Sequence, residues 1–169
     1  MSTPFVNPSG QDGSFYFIDI VAITVGKTRV EIDYKSDIRG TAISTWAHIT
    51  RLPLVTYTKL RDEFKLQMGT NYPAAAVKEF SIFDTCYDTT DQSSITAPSM
   101  SFTFRNKVTV DLHVSGILYV VNSTLSCLAF AQTSNPGGFA IFGSRQQRTL
   151  EMVFDVDNGM LGIGQHGCA

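Results

Sequence analysis

Apolar positions run almost unbroken through one early segment and then settle into alternation. Phe15-Tyr16-Phe17-Ile18-Asp19-Ile20-Val21-Ala22-Ile23-Thr24-Val25 is dense in aromatic and β-branched residues and ends at Gly26, as a mostly buried strand does. Beyond Gly26-Lys27, Arg29, Glu31 and Asp33 alternate with Val30, Ile32 and Tyr34, which predicts a half-exposed strand over Thr28 to Tyr34, paired with the first as a hairpin. The period then changes. Tyr57, Leu60, Phe64 and Met68 share one face of a helix predicted from Leu54 to Met68, and Lys59, Arg61, Asp62, Glu63 and Lys65 fall largely outside that face. Pro53 stands at its start, where an absent N–H leaves no hydrogen bond unmade, and Gly69 closes it.

Period two returns after the helix. Met100, Phe102 and Phe104, then Val108, Val110, Leu112 and Val114, flank Arg105-Asn106-Lys107 as a second hairpin. Ile117 to Val121 and Leu125 to Ala131 read as two apolar strands. Leu150 to Val156 and Met160 to Ile163 flank Asp157-Asn158-Gly159, whose Asn-Gly pair suits the positive φ angles of a tight hairpin turn. Gly143 to Thr149 is a candidate second helix, and Pro73-Ala74-Ala75-Ala76 and Ser134-Asn135-Pro136-Gly137-Gly138 read as surface loops. No repeat or linker interrupts the pattern. One domain is expected over 15–169, preceded by a flexible segment over 1–14.

A chain of 169 residues can bury roughly two-thirds of its unfolded surface around a single core. Its apolar (43%) and charged (17%) fractions are those of a globular domain rather than a disordered one. The net charge is −2 and the basic residues are scattered singly, so nothing is suited to neutralise several phosphates and nucleic acid is not expected as a partner. No run of eighteen apolar residues is present, so a membrane span is not expected either. Met1 to Pro8 carries neither a basic nor an apolar leader region; the expectation is a cytosolic chain or a segment of something longer. The three cysteines, Cys86, Cys127 and Cys168, are too few and too far apart for zinc, and no metal or cofactor is expected. In an oxidising compartment they would form one disulfide and leave one half-bridge; in the cytosol all three would be thiols.

Several blocks carry a family resemblance. Gly40-Thr41-Ala42-Ile43, Ile49-Thr50-Arg51-Leu52-Pro53, and Tyr57 with Leu60 on the helix resemble the second-lobe segment of plant pepsin-like aspartic proteases, which typically reads Gly-Thr-Ile-Ile-Asp-Ser-Gly-Thr-Val-Ile-Thr-Arg-Leu-Pro. The resemblance continues through Phe83-Asp84-Thr85-Cys86-Tyr87-Asp88, through Cys127-Leu128-Ala129-Phe130 and through the block from Ala140 to Asp155. It ends in Gly159-Met160-Leu161-Gly162-Ile163 and Gly167-Cys168. The family is that of the nepenthesin-like and chloroplast-nucleoid-type proteases and the xylanase inhibitors that share their C-terminal domain. It implies a mainly β fold, one lobe of a bilobal pepsin-like protease built from β-barrel-like sheets with one or two short helices. The active cleft would lie between lobes, and family members are secreted, vacuolar or plastid proteins.

The catalytic loop departs from the family pattern at Ser44, Trp46 and Ala47. Ser44 stands where the pattern has Asp, Thr45 at the Ser or Thr position, Trp46 at the Gly and Ala47 at the following Thr. Peptide hydrolysis by such enzymes needs two carboxylates sharing a proton, one from each lobe. A serine hydroxyl does not ionise near neutral pH and cannot take that place, and an indole needs far more room than a glycine in a tight turn. No catalytic residue is therefore assigned. Asp84-Thr85-Cys86 mimics an Asp-Thr-Gly loop but lies in the block that matches the family's disulfide loop; Asp37 reads as a solvated carboxylate; His48 with Ser44 lacks a third, orienting group. The resemblance also implies a disulfide between Cys86 and Cys127 and leaves Cys168 as an interlobe or free thiol. Asn122-Ser123-Thr124 is a formal glycosylation acceptor at Asn122. Ile141-Phe142-Gly143 is expected to pack against the loop, with Arg145 to Arg148 playing a structural part.

Three readings follow from the resemblance. The first is a noncatalytic lobe that binds through the former cleft face. The second is half of an aspartic endopeptidase completed by a separate first lobe, and the third a xylanase-inhibitor-like protein that binds a glycosidase through its loops. A lobe without its partner would expose an apolar face and is expected to self-associate or to bind a first lobe or another protein ligand. DNA binding, suggested by the nucleoid-type relatives, lacks electrostatic support.

Overall fold

A computed structural model describes residues 1–7, 13–33, 40–69, 71–76, 82–134, 139–165 and 167. In chain order the first elements are strands β1 (Ser2–Val6), β2 (Phe17–Ile18), β3 (Ile20–Val25), β4 (Thr28–Glu31), β5 (Thr41–Ile43) and β6 (Thr50–Leu52), followed by helix α1 (Leu54–Met68). Next come β7 (Ala74–Ala75), β8 (Cys86–Asp88), β9 (Met100–Phe104), β10 (Thr109–Asp111), the short helix α2 (Val114–Ile117), β11 (Leu118–Asn122) and β12 (Leu125–Leu128). The chain ends in β13 (Phe130–Gln132), β14 (Ala140–Phe142), the short helix α3 (Ser144–Gln147), β15 (Leu150–Asp155) and β16 (Met160–Gln165).

The strands form three sheets. One has the order β13-β6-β14-β5-β2-β1-β16-β15, a second β10-β9-β3-β4 and a third β11-β12-β8-β7. The fold is mainly β, as expected. It is not a barrel, because β13 and β15 end the largest sheet without pairing to each other, and closure requires that the two edges meet. Three helices stand among the described residues where one or two were expected. The additional one is α2, which takes Val114 out of the predicted strand; the His113 side chain accepts from the Ser115 N–H and starts a helical turn there.

All three predicted hairpins form, the third between β15 and β16. β3 and β4 turn at Gly26, whose φ of 57° suits glycine, and β9 and β10 turn at Lys107. The long apolar run over 15–25 is nevertheless divided between two sheets at Asp19. Asp19 is buried and its carboxylate takes an ion pair from Arg105, while the Arg105 N–H donates to the Asp19 carbonyl. The run over 125–131 divides likewise at Ala129, whose N–H donates to the Ile117 carbonyl outside the ladder. Residues 2–6, placed by sequence in a flexible segment, form β1 and pair with both β2 and β16. Ala74–Ala75, expected as loop, adds a short edge strand against β8. Much of the loop predicted over 134–138 lies outside the described residues.

The core is one large cluster with a small satellite of Ile49, Ala129 and Ala131 beside it. Helix α1 delivers Tyr57, Leu60, Phe64 and Met68 to it, against sheet residues that include Ile18, Ile23, Phe102, Phe130 and Phe142. Burying each such side chain contributes about 1.5–3 kcal/mol relative to leaving it exposed. Gly69 ends the helix with φ 59° and an N–H donated to the Lys65 carbonyl. Polar contacts fix the helix on the β3–β4 hairpin: Gln67 donates to the Val25 carbonyl at 2.7 Å and Thr56 accepts from the Asp33 N–H at 2.9 Å.

Cys86 and Cys127 face each other in the β8–β12 ladder and form a disulfide, buried at both ends. It spans 41 residues of sequence, and closing a loop of that length in the unfolded chain is worth roughly 4 kcal/mol on the chain-entropy account. The Cys86→Ser, Cys127→Ser double variant is expected to lose about 2–4 kcal/mol in urea unfolding. Reduction of the parent should move its midpoint in the same direction, and an unchanged midpoint would show the link to be absent in solution. Cys168 lies outside the described residues.

Candidate functional site

The loop from Ser44 to Ile49 joins β5 to β6, and β14 is threaded between those two strands. β14 runs parallel to β5, with Ala140, Ile141 and Phe142 beside Thr41, Ala42 and Ile43, and meets β6 antiparallel where Ile141 faces Arg51. The loop therefore straddles the C-terminal end of β14, where the chain enters α3. Backbone hydrogen bonds tie the two together: Ser44 N–H to the Phe142 carbonyl, Ser144 N–H to the Ala47 carbonyl and Arg145 N–H to the His48 carbonyl. Gly143 lies directly under the returning chain. A Cβ at this residue would stand 2.3 Å from the Ile49 carbonyl carbon and 2.7 Å from the Thr50 nitrogen. Ile141-Phe142-Gly143 thus packs against the loop, in line with the expectation from sequence.

Two glutamines complete the support. Gln146 is buried and uses its whole amide: Oε1 accepts from the Thr50 N–H and the Thr50 hydroxyl, both at 2.9 Å, and Nε2 donates to the Gly116 and Ala129 carbonyls, both at 2.7 Å. The Thr50 hydroxyl oxygen also accepts from the Gly143 N–H at 3.1 Å. Gln147 Nε2 donates to the Ser44 and Phe142 carbonyls at 3.2 and 2.8 Å. In the sequence Gln146 is one residue of a polar stretch. The signal that marks it is its position, three residues after a glycine that closes a buried apolar strand.

Within this frame the Ser44 hydroxyl accepts from the Ala47 N–H at 3.1 Å, an interaction inside the loop itself. Trp46 is 93% exposed and is not among the non-glycine residues with positive φ. The indole finds its room by pointing into solvent, leaving the loop's ties to β14 and α3 intact. Thr45 and His48 are exposed as well, and among the described residues no hydrogen bond joins His48 to Ser44. The pair that a serine nucleophile would need is not assembled.

The other candidate carboxylate is engaged elsewhere. Asp84 accepts from the Tyr57 hydroxyl, from the Thr85 hydroxyl at 2.8 Å and from Arg61 at 3.4 Å, at the helix α1 face. Burial alone would raise its pKa, but the Tyr57 and Thr85 hydrogen bonds and the Arg61 charge together hold it below the usual carboxylate range. Tyr57 is pushed above its ordinary range by burial and then by Asp84. Asp84 is thus a structural anion that ties the disulfide segment to α1. Asp37 lies outside the described residues. Asn122 is exposed at the end of β11, where its side-chain oxygen accepts from the Thr124 N–H and hydroxyl at 2.9 and 3.0 Å. Among the described residues no three His, Cys, Asp or Glu side chains converge to hold a metal ion.

An aromatic surface borders this region. Phe5, Tyr16 and Phe154 form one ring cluster, and Phe15, Phe17 and Phe139 another, on strands of the largest sheet and the residues that lead into them. Phe15, Tyr16 and Phe154 remain 47, 46 and 42% exposed, and the Tyr16 carbonyl receives the Ile43 N–H just before the loop.

Comparison with known proteins places these features. Residues 15–165 match the family described as xylanase inhibitor C-terminal. An aspartyl protease family protein of Arabidopsis thaliana is 40% identical over 92% of this chain and 32% of its own length. Aspartyl protease AED1 of the same plant is 38% identical over 90% of the chain and 32% of its length, and aspartic proteinase nepenthesin-1 of Nepenthes gracilis 27% identical over 95% and 37%. The chain thus spans about a third of the length of the curated relatives it matches. Conglutin gamma from lupine seeds superposes on 97% of the chain and 40% of its own with a TM-score of 0.79 at 23% identity. Basic 7S globulin from soybean does so on 99% and 44% with a TM-score of 0.80 at 18% identity.

Proposed function

This chain belongs to the xylanase inhibitor C-terminal family and is the C-terminal lobe of a plant pepsin-like aspartic protease fold, and from that premise we propose that it binds rather than cleaves. The observation that carries this reading is Ser44. On the family resemblance it stands at the position of a proton-sharing carboxylate, and its hydroxyl accepts from the Ala47 N–H of its own loop. The scaffold around it supports the same view, since Gly143, Gln146 and Gln147 hold the loop by many bonds, as a binding surface requires. Docking occurs through the exposed rings of Phe15, Tyr16 and Phe154. Those rings are the kind of apolar surface that a first lobe, on the same polypeptide or another, covers; in its absence a second copy of this chain takes that place.

A peptidase assay tests the reading. The purified chain, incubated between about pH 2 and 6 with a denatured protein substrate, is expected to release no peptide above the buffer control. Cleavage sensitive to a transition-state mimic of peptide hydrolysis would overturn it. The Ser44→Asp, Trp46→Gly variant supplied with a first lobe should gain activity if the rest of the cleft face is sound, whereas the parent chain with the same first lobe should remain inert. Activity in that parent mixture would favour the completed-enzyme reading instead.

A further inference from the structure

A cavity lies away from the Ser44 hydroxyl, between the β11–β12 hairpin, the segment over 89–95 and the two short helices. It encloses about 530 Å³, within the range of small-molecule sites. Its wall mixes the hydroxyls of Thr89, Ser115, Ser123 and Ser126 with the aliphatic side chains of Ile95, Leu118 and Val120. Among the described residues one charged side chain lines it, that of Arg145, and no carboxylate does.

Arg145 is unusually placed for an arginine. Its Nη2 donates to the Leu118 carbonyl at 3.0 Å, and its guanidinium carbon lies 4.5 Å from the centre of the Tyr119 ring. Both contacts orient the group without neutralising it. Its Nε is buried with no hydrogen-bond partner, and no Asp or Glu among the described residues pairs with it. Burial, with the like charge of Arg148 behind it, holds its pKa below the ordinary arginine range. The second unpartnered group in the wall is the hydroxyl of Ser126, a residue only 1% exposed. A partly desolvated cation and a buried hydroxyl, both short of partners, are costly in an empty protein and favourable once an anion arrives.

We propose that this cavity is a carboxylate-binding subsite, with the Arg145 guanidinium as its anchor, Ser126 as a second donor, and the Leu118–Val120 wall packing on the apolar body of the ligand. Guanidinium groups favour carboxylates because their planar fork matches the two oxygens. The hydroxyl-rich wall and the volume suit a ligand between a sugar acid and a dipeptide in size, so the carboxylate belongs either to a uronic acid or to a peptide C-terminus. The site requires nothing of Ser44 and stands whether or not the chain is a peptidase.

Calorimetric titration of the whole chain distinguishes the possibilities with two matched pairs of probes: galacturonate against galactose, and N-acetyl-dialanine as free acid against its amide. At least one acid is expected to bind about tenfold or more tightly than its neutral counterpart, and the acid that does so identifies the source of the carboxylate. Arg145→Gln should abolish that preference. Because Arg145 also contacts Leu118 and Tyr119, Val120→Glu provides a second variant: Val120 is 59% exposed, so a carboxylate there occupies the cavity mouth without touching the core. It should eliminate binding at an unchanged unfolding midpoint. Equal binding of acid and neutral forms, no binding of either acid up to about 10 mM, or undiminished binding by both variants would overturn the proposal.

Discussion

Gly143→Ala is expected to prevent the lobe from folding, or to destabilise it by more than about 3 kcal/mol. The added methyl would lie 2.3 Å from the carbonyl carbon of Ile49, 2.5 Å from its oxygen and 2.7 Å from the nitrogen of Thr50. All three are backbone atoms, so no side chain can rotate away. Relief would require the return of the loop into β6 to separate from the start of α3, breaking the Ser144–Ala47 and Arg145–His48 bonds. Gly116→Ala is the matched control, since its methyl would meet its closest neighbour, the Gln146 Cα, at 3.4 Å. It should fold with a change within about 1 kcal/mol. Soluble yield and the urea midpoint read both variants, and a Gly143→Ala protein as stable as its parent would show that the loop and α3 are not packed as described.

Gln146→Leu should rank next, at about 4 kcal/mol or more of lost stability. Leucine fills a similar volume, so packing is nearly conserved and the loss is polar. It strands the Thr50 N–H and hydroxyl and the carbonyls of Gly116 and Ala129, all in a buried setting where each unpaired group costs about 1–3 kcal/mol. Gln146→Glu separates this account from a generic packing defect. Its carboxylate can still accept from Thr50, but it has no proton for the two carbonyls, so burial and those oxygens raise its pKa in the folded state. A raised carboxyl binds its proton more tightly when folded, so the variant's deficit relative to the parent should shrink as pH falls from about 7 toward about 4. A deficit independent of pH, or a fully stable Gln146→Leu protein, would show that the amide does not bridge the loop to the β12–β13 junction.

What the loop can offer chemically was legible in the residues themselves, because Ser44 brings a hydroxyl and no carboxylate, which needs no geometry to interpret. Its shape was not. An indole needs far more room than a glycine in a tight turn, and the structure supplies it in solvent: Trp46 projects outward beside the backbone ties of Ser44, Ala47 and His48. Arg145 to Arg148 looked like one polar stretch, yet one of its residues is buried with four amide bonds, one caps the loop from beneath and one lines a cavity without a counter-charge. Neighbouring polar residues on a single helical turn face different surroundings, and only the position of that turn between β14 and β15 distinguishes them.

Local order was set by the sequence itself: helix α1 from its apolar face and the proline and glycine at its ends, the β3–β4 and β9–β10 hairpins from alternation and turn residues, and a hydroxyl rather than a carboxylate at Ser44 from residue identity. These depend on side-chain period and backbone preference within a few residues. The tertiary structure alone decided that the run over 15–25 divides at Asp19, that residues 2–6 become a strand between β2 and β16, and that β14 threads between β5 and β6. It likewise decided that Gln146 is interior and that Arg145 has no carboxylate partner among the described residues. Each of these rests on contacts between distant segments, Asp19 with Arg105 or Thr50 with Gln146, whose register and burial no local pattern encodes.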